Sequence, residues 1–164
     1  MTSTQKTLPF QLTSSAFAAE GIIPLRHSGR GEDLSPPLVW SAPPDGTKSL
    51  ALVMDDADAV PVAGFVWDHW VLFNLPADTT NLPEGVPTIA ELLDGSRQGC
   101  NSSGGLGYEG PCPPRHRTHR YVFTLYALDR VLGLNPGGTK TELLQAITGH
   151  ILAQAQLAGR YTSP

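Results

Sequence analysis

Two histidines, a tyrosine and three aspartates are the side chains of this sequence best suited to hold an anion. Asp55, Asp56 and Asp58 stand at the end of an apolar run. His69 lies inside a stretch of aromatic and apolar residues, and His119 and Tyr121 stand two apart in another. An imidazolium and a phenol both donate hydrogen bonds to an anion. A carboxylate beside an imidazole fixes its tautomer and raises its pKa, which favours the charged donor. Each residue alone has an ordinary use, as a packed strand residue or a turn former. Carried on neighbouring strands, they would line one pocket with carboxylates, two imidazoles and a phenol.

The elements that must position them are mostly strands. Ser49–Asp55 is an apolar, β-prone run, expected as a central strand covered on both faces. Trp67–Leu75 reads as a second strand, with Trp67, His69, Val71, Phe73 and Leu75 on one face. His119–Asp129 reads as a third, with His119, Tyr121, Phe123, Leu125 and Ala127 sharing a face. Leu8–Phe17 and Leu38–Trp40 are expected as short strands. The last element reads as a helix: Thr139 and Glu142 form a capping box, and Leu143, Leu144, Ile147, Ile151, Leu152 and Ala155 recur at helical spacing. Gly159 suits the position after its last turn. Strands followed by one helix, without alternation, indicate a mainly β domain.

Residues 94–118 join the second and third strands and contain six glycines and three prolines. A loop this long in a compact domain usually has a function. Its glycines allow close backbone approach and could offer N–H groups to an anion, while its prolines stiffen it.

The 164 residues suit one domain, 1–164, with a core that needs no disulfide or metal. Charged residues are only 16%, which argues against a helical bundle, and 40% apolar residues argue against disorder. The net charge of −4 is uneven, with +2 over residues 1–31, −10 over 32–94 and +4 over 95–164. That balance disfavours nucleic acid as a partner, despite the basic run Arg115–Arg120. No apolar stretch reaches membrane-spanning length, and Met1–Glu20 is too polar for a signal peptide, so a cytoplasmic protein is expected. Cys100 and Cys112 match no zinc or redox spacing and are expected as free buried thiols.

Enzyme motifs are missing. Ser102 and Ser103 lack the flanking glycines of a nucleophile elbow, and no phosphate-binding or dinucleotide loop occurs. No cofactor is expected. His116 and His119 could ligate a metal only with a third ligand such as His69. A hydrolase using Asp56 and His69 as an acid–base pair rests on residue types alone.

Longer motifs carry a family resemblance. Asp56-Ala57-Asp58-Ala59, Trp67-Asp68-His69-Trp70-Val71, Asn101-Ser102-Ser103-Gly104, Gly107-Tyr108-Glu109-Gly110-Pro111 and Cys112-Pro113-Pro114 through His119-Arg120-Tyr121 occur in order. They resemble the phosphatidylethanolamine-binding protein family, also called the Raf kinase inhibitor protein family, in its bacterial and archaeal branch. The resemblance spans roughly residues 10 to 158. It implies a Greek-key-like antiparallel β-sandwich with short peripheral helices, and a small pocket for phosphate-like anions. The implied ligand-binding residues are Asp56, Asp58, Trp67, His69, Gly110, Pro113, His119 and Tyr121. The implied ligands are a phospholipid headgroup or a phosphorylated metabolite or side chain. A kinase or protease partner bound through the cationic rim Arg115, His116 and Arg117 is a second expectation, and a homodimer fits this branch.

The sequence departs from the family pattern at three places. Ala57 and Val60 stand where prolines are usual, with Pro61 following, so a cis-proline turn is shifted or lost. Ser103 replaces a phenylalanine, and His116 replaces a glycine. These changes affect the pocket's rim and leave its polar centre.

Overall fold

The protein was analysed as a computed structural model, which describes residues 9–164. Leu8, the start of the expected first strand, lies outside the described residues.

Two antiparallel sheets face each other. The smaller one holds β1 (Leu12–Thr13), β2 (Leu38–Trp40) and β5 (Asn81–Leu82), in the order β1-β2-β5. The larger one holds β3 (Ser49–Asp56), β4 (Trp67–Pro76), β6 (Arg97–Gln98), β7 (Thr118–Leu128) and β8 (Ile151–Thr162), in the order β6-β4-β3-β7-β8. Strands β3, β4 and β6 follow one another across the sheet. Strand β7 then returns by a long connection to the free edge of β3, which is Greek-key order. β3 is central, and its apolar residues are buried on both faces, as its continuous apolar run predicts.

One face of the large sheet packs on the small sheet through Leu50, Leu52, Met54, Phe123 and Leu125 against Leu12, Leu38, Trp40 and Leu82. The opposite face is covered by the short helix α2 (Lys140–Ile147), where Leu143 and Ile147 meet Ala51, Val53, Val71 and Phe73. The β7 faces follow simple alternation.

β4 does not alternate simply. Met54 pairs with Trp70 and Asp55 with Asp68, so His69 has no opposite partner on β3. A second shift falls between Leu50–Leu75 and Leu52–Leu72, where Asn74 takes φ +58°. Such bulges place an extra residue on one strand and re-aim side chains. Trp70, Leu72 and Leu75 therefore face the inter-sheet core, while Val71 and Phe73 face α2. The expected face of Trp67, His69, Val71, Phe73 and Leu75 is broken by these bulges. Trp67 and His69 face the candidate site instead of sharing a side with Val71.

The expected C-terminal helix is also corrected. The Thr139 hydroxyl accepts from Glu142 N at 3.2 Å, so the cap is present, but α2 ends at Ile147. Gly149, at φ +81°, turns the chain, and residues 151–162 form β8 against the full length of β7. The apolar spacing that reads as helical from Leu143 to Ile151 gives way to alternation, with Ala155, Leu157, Gly159 and Tyr161 buried. The unpaired edge of β7 satisfies its backbone this way, and tertiary pairing overrides helix propensity. Gly159 is a packing residue, since a Cβ there would lie 2.8 Å from the Phe17 ring.

Candidate anion-binding site

The C-terminal end of β3, the bulge of β4 and the start of β7 converge at one end of the inter-sheet core. Between them lies a cleft of about 340 Å³. Asp56, Trp67, His69, Gly110, Pro113, His119 and Tyr121 line it, seven of the eight residues expected from the sequence.

Asp56 is the organising carboxylate. One oxygen accepts from His119 Nδ1 at 2.6 Å, and the other accepts from Asp58 N at 2.9 Å, capping the 3-10 turn that follows β3. His119 is thus fixed with Nδ1 as donor, and Nε2 has no partner among the described residues. Asp58 does not line the cleft. Its carboxylate accepts from Arg120 N at 2.9 Å and faces a shallower depression with Thr118, Arg120 and Arg160. The expectation of Asp58 as a cleft residue is corrected on this geometry: it ties the turn to β7.

His69, the bulged residue, donates from Nδ1 to the Glu109 carbonyl at 2.6 Å, because a carbonyl can only accept. Its ring meets Tyr121 edge-on at 5.2 Å between centroids. Burial lowers its pKa, and the Glu109 carbonyl and nearby carboxylates offset this only in part. Neighbouring carboxylates would raise the imidazole pKa values, as the sequence leads one to expect. For His69 the direction is reversed, because the ring is buried and its fixed partner is a carbonyl rather than a carboxylate.

Tyr121 is fully buried, and its hydroxyl has no partner among the described residues. Burial, with Asp56 next, pushes its pKa well up, so it remains a donor. Its ring lies in the wall of the cleft, edge-on to His69 and stacked beside His119 at 6.5 Å between centroids.

The Gly-rich connection contributes shape but few donors. Gly110 N donates to Asp33 Oδ1 at 2.7 Å, so that N–H is taken. Pro111, Pro113 and Pro114 have no N–H to offer. Asn101 orders the loop: its Oδ1 accepts from Ser103 N and Gly105 N, and its Nδ2 donates to Gly107 O.

Two polar residues of the cleft escaped the sequence reading. The Glu109 carboxylate accepts from Ser103 Oγ at 2.5 Å and from Trp67 Nε1 at 3.2 Å. Its place in the Tyr108-Glu109-Gly110-Pro111 motif was the available signal. Arg30 reaches the cleft because Gly29 N donates to Pro111 O at 2.8 Å, docking residues 28–30 on the loop. No local pattern marks it. Arg115, His116 and Arg117, the expected cationic rim, do not line the cleft.

The back of the bulge is held by charge. Lys140, at the start of α2, lies 3.2 Å from Asp55 Oδ2 and 2.7 Å from Asp68 Oδ1, the latter off the axis of a hydrogen bond. Burial opposes its charge, but Asp68 and Asp55 outweigh that and hold its pKa up. Lys140→Met is expected to cost about 1–2 kcal/mol, because two half-buried carboxylates lose their counter-ion. Urea unfolding checks this, and an unchanged midpoint would remove Lys140 from the support of the bulge.

The phosphatidylethanolamine-binding protein family model matches residues 13–162. The chain belongs to the phosphatidylethanolamine-binding protein family. A UPF0098 protein of Methanothermobacter thermautotrophicus is 53% identical over 150 residues, covering 92% of this chain and 97% of that one. Two solved family structures match the fold. The homologue CT736 of Chlamydia trachomatis has a TM-score of 0.85 at 41% identity, covering 95% of this chain and 99% of its own. YbcL of E. coli has a TM-score of 0.83 at 30% identity, covering 96% and 100%.

Against the family pattern, each departure has a structural outcome. Val60 and Pro61 open the one-turn helix α1 (Val60–Ala63), and no cis peptide bond occurs among the described residues. Ser103 replaces an aromatic group with a hydroxyl that holds Glu109. His116 adopts φ +62°, where the family's glycine fits readily. Both cysteines are free, yet Cys112 is exposed and lines the cleft, because Pro111 and Pro113 on either side turn inward. No cluster of His, Cys, Asp or Glu suited to a metal occurs among the described residues, and none of their helices is long and apolar enough to cross a membrane.

Proposed function

We propose that the cleft is a binding site for a phosphate-like group, carried by a phospholipid headgroup or by a phosphorylated metabolite or side chain. The observation that carries this reading is the Tyr121 hydroxyl, buried and without a partner among the described residues, on a tyrosine in the wall of the cleft. An unsatisfied buried donor costs about 1–3 kcal/mol, which a ligand oxygen would recover. Arg30 at the cleft mouth adds a fixed positive charge for an anion. Val62, in the lining of the cleft, and Phe65, stacked on Trp67, are both exposed and offer apolar surface suited to the hydrocarbon part of such a ligand. The family's name, denoting a lipid with a phosphate headgroup, agrees with this chemistry.

Titration with inorganic phosphate or phosphoethanolamine, followed by NMR of the imidazoles, tests the reading. Resonances of His69 and His119 are expected to move together at millimolar ligand. Their constancy would overturn the proposal. Tyr121→Phe separates stability from binding: removing the unpaired hydroxyl is expected to leave the free protein as stable or about 1 kcal/mol more so, while weakening phosphate roughly tenfold. A variant that binds phosphate as well as the parent chain would take Tyr121 out of the site.

A further inference from the structure

The polar atoms facing the cleft are unbalanced. His69 Nδ1–H is committed to the Glu109 carbonyl, so its free Nε2 accepts whenever the ring is neutral. The Glu109 carboxylate is acceptor-only, and its two oxygens each hold one donor with lone pairs to spare. Asp56 adds a further carboxylate, paired with His119. Backbone donors that usually cradle an anion are few, since Gly110 N–H is used by Asp33 and the neighbouring prolines have none, which leaves the Cys112 N–H. Tyr121, Arg30 and the Cys112 N–H are donors that attract any oxyanion alike, as is His119 Nε2 whenever that ring is charged.

Resting on the anion reading above, we propose that the cleft selects phosphate groups that bring their own proton: the ligand's O–H donates to His69 Nε2, and oxyanions without a hydrogen are rejected. A bare dianion would point lone pairs at the lone pair of His69 and at the Glu109 carboxylate. A site built around an acceptor discriminates strongly against an analogue that lacks the matching donor. Protonating His69 supplies the missing hydrogen from the protein side. The groups facing its ring are Glu109, Asp56, Asp55, Asp33, His119 and Tyr121, and the carboxylates among them favour that protonation against the burial that opposes it. Acid conditions therefore relax the selection.

Phosphate and sulfate provide the test, because at about pH 8 both are chiefly dianions of similar size and only phosphate keeps an O–H. At matched ionic strength, NMR titration of the native protein is expected to show phosphate binding about tenfold or more tighter than sulfate. At the same pH, His69→Phe removes the acceptor, and the preference for phosphate over sulfate is expected to be lost. Equal binding of the two anions at pH 8 overturns the proton requirement and leaves the anion site standing. A preference that is unchanged in His69→Phe overturns the assignment to His69. Failure of both anions to bind the native protein overturns the proposal together with the anion site.

Discussion

Asp56→Ala is expected to lower the unfolding free energy by about 3 kcal/mol and to abolish phosphate binding together. The carboxylate is almost fully buried, and both its oxygens are used. Its loss strips His119 Nδ1 of its acceptor and leaves Asp58 N uncapped. A buried ring without its partner carries the full desolvation penalty, and a lost cap adds about 1 kcal/mol. Asp56→Asn divides the two contributions. Its carbonyl oxygen still caps the turn, but its amide presents N–H to His119 Nδ1 and forces the other tautomer. Chemical unfolding and imidazole nitrogen shifts read the two effects separately. A midpoint for Asp56→Ala within experimental error of the parent chain would show that the pair contributes nothing.

Gly110→Ala is the second large effect expected. A Cβ at this position would press on the His27 carbonyl oxygen, 2.6 Å from Asp33 Oδ1 and 2.9 Å from Ser28 Cα. Two of those neighbours are backbone, and Asp33 is held by the Gly110 N–H itself, so none can step aside cheaply. Overpacking of this kind costs about 1–3 kcal/mol or more. The strain falls next to Glu109, whose carbonyl orients His69, and on the segment that delivers Arg30. A loss of about 3 kcal/mol is expected, with displaced His69 resonances in the folded fraction. Thermal unfolding decides it: an unshifted midpoint would mean that residues 27–33 yield, and that the cleft does not depend on close approach there.

Much of this was legible from one-dimensional pattern. The apolar run of β3 reads as a covered strand, and the β7 alternation puts His119 and Tyr121 on one face, which the fold turns to the core. Asp56 was identified by standing at a strand end with two other carboxylates. Glu109 stands inside a recognisable motif, yet nothing local marks its role, because a lone glutamate in a loop has no periodic signal. Arg30 could not be found: the hydrogen bond that docks its segment joins residues 82 apart in sequence, Gly29 to Pro111.

β8 shows the limit most plainly. Its alanines, leucines and glutamines tolerate either helix or strand, and the choice fell to the open edge of β7, which local propensity does not represent. The β4 bulges are similar, since whether a strand carries an extra residue depends on the partner it must match.

The sequence by itself determined which residues are chemically able to form the site and which strands carry them, because residue type and period-two alternation are local properties. Tertiary structure decided what each of them faces. The bulge turned His69 to the cleft, the Glu109 carbonyl fixed its tautomer, and burial held its pKa down. Asp33 and the prolines left residues 110–114 with few free donors. Hydrogen-bond direction and desolvation are set by neighbours distant in the chain, and only the folded arrangement brings those neighbours together.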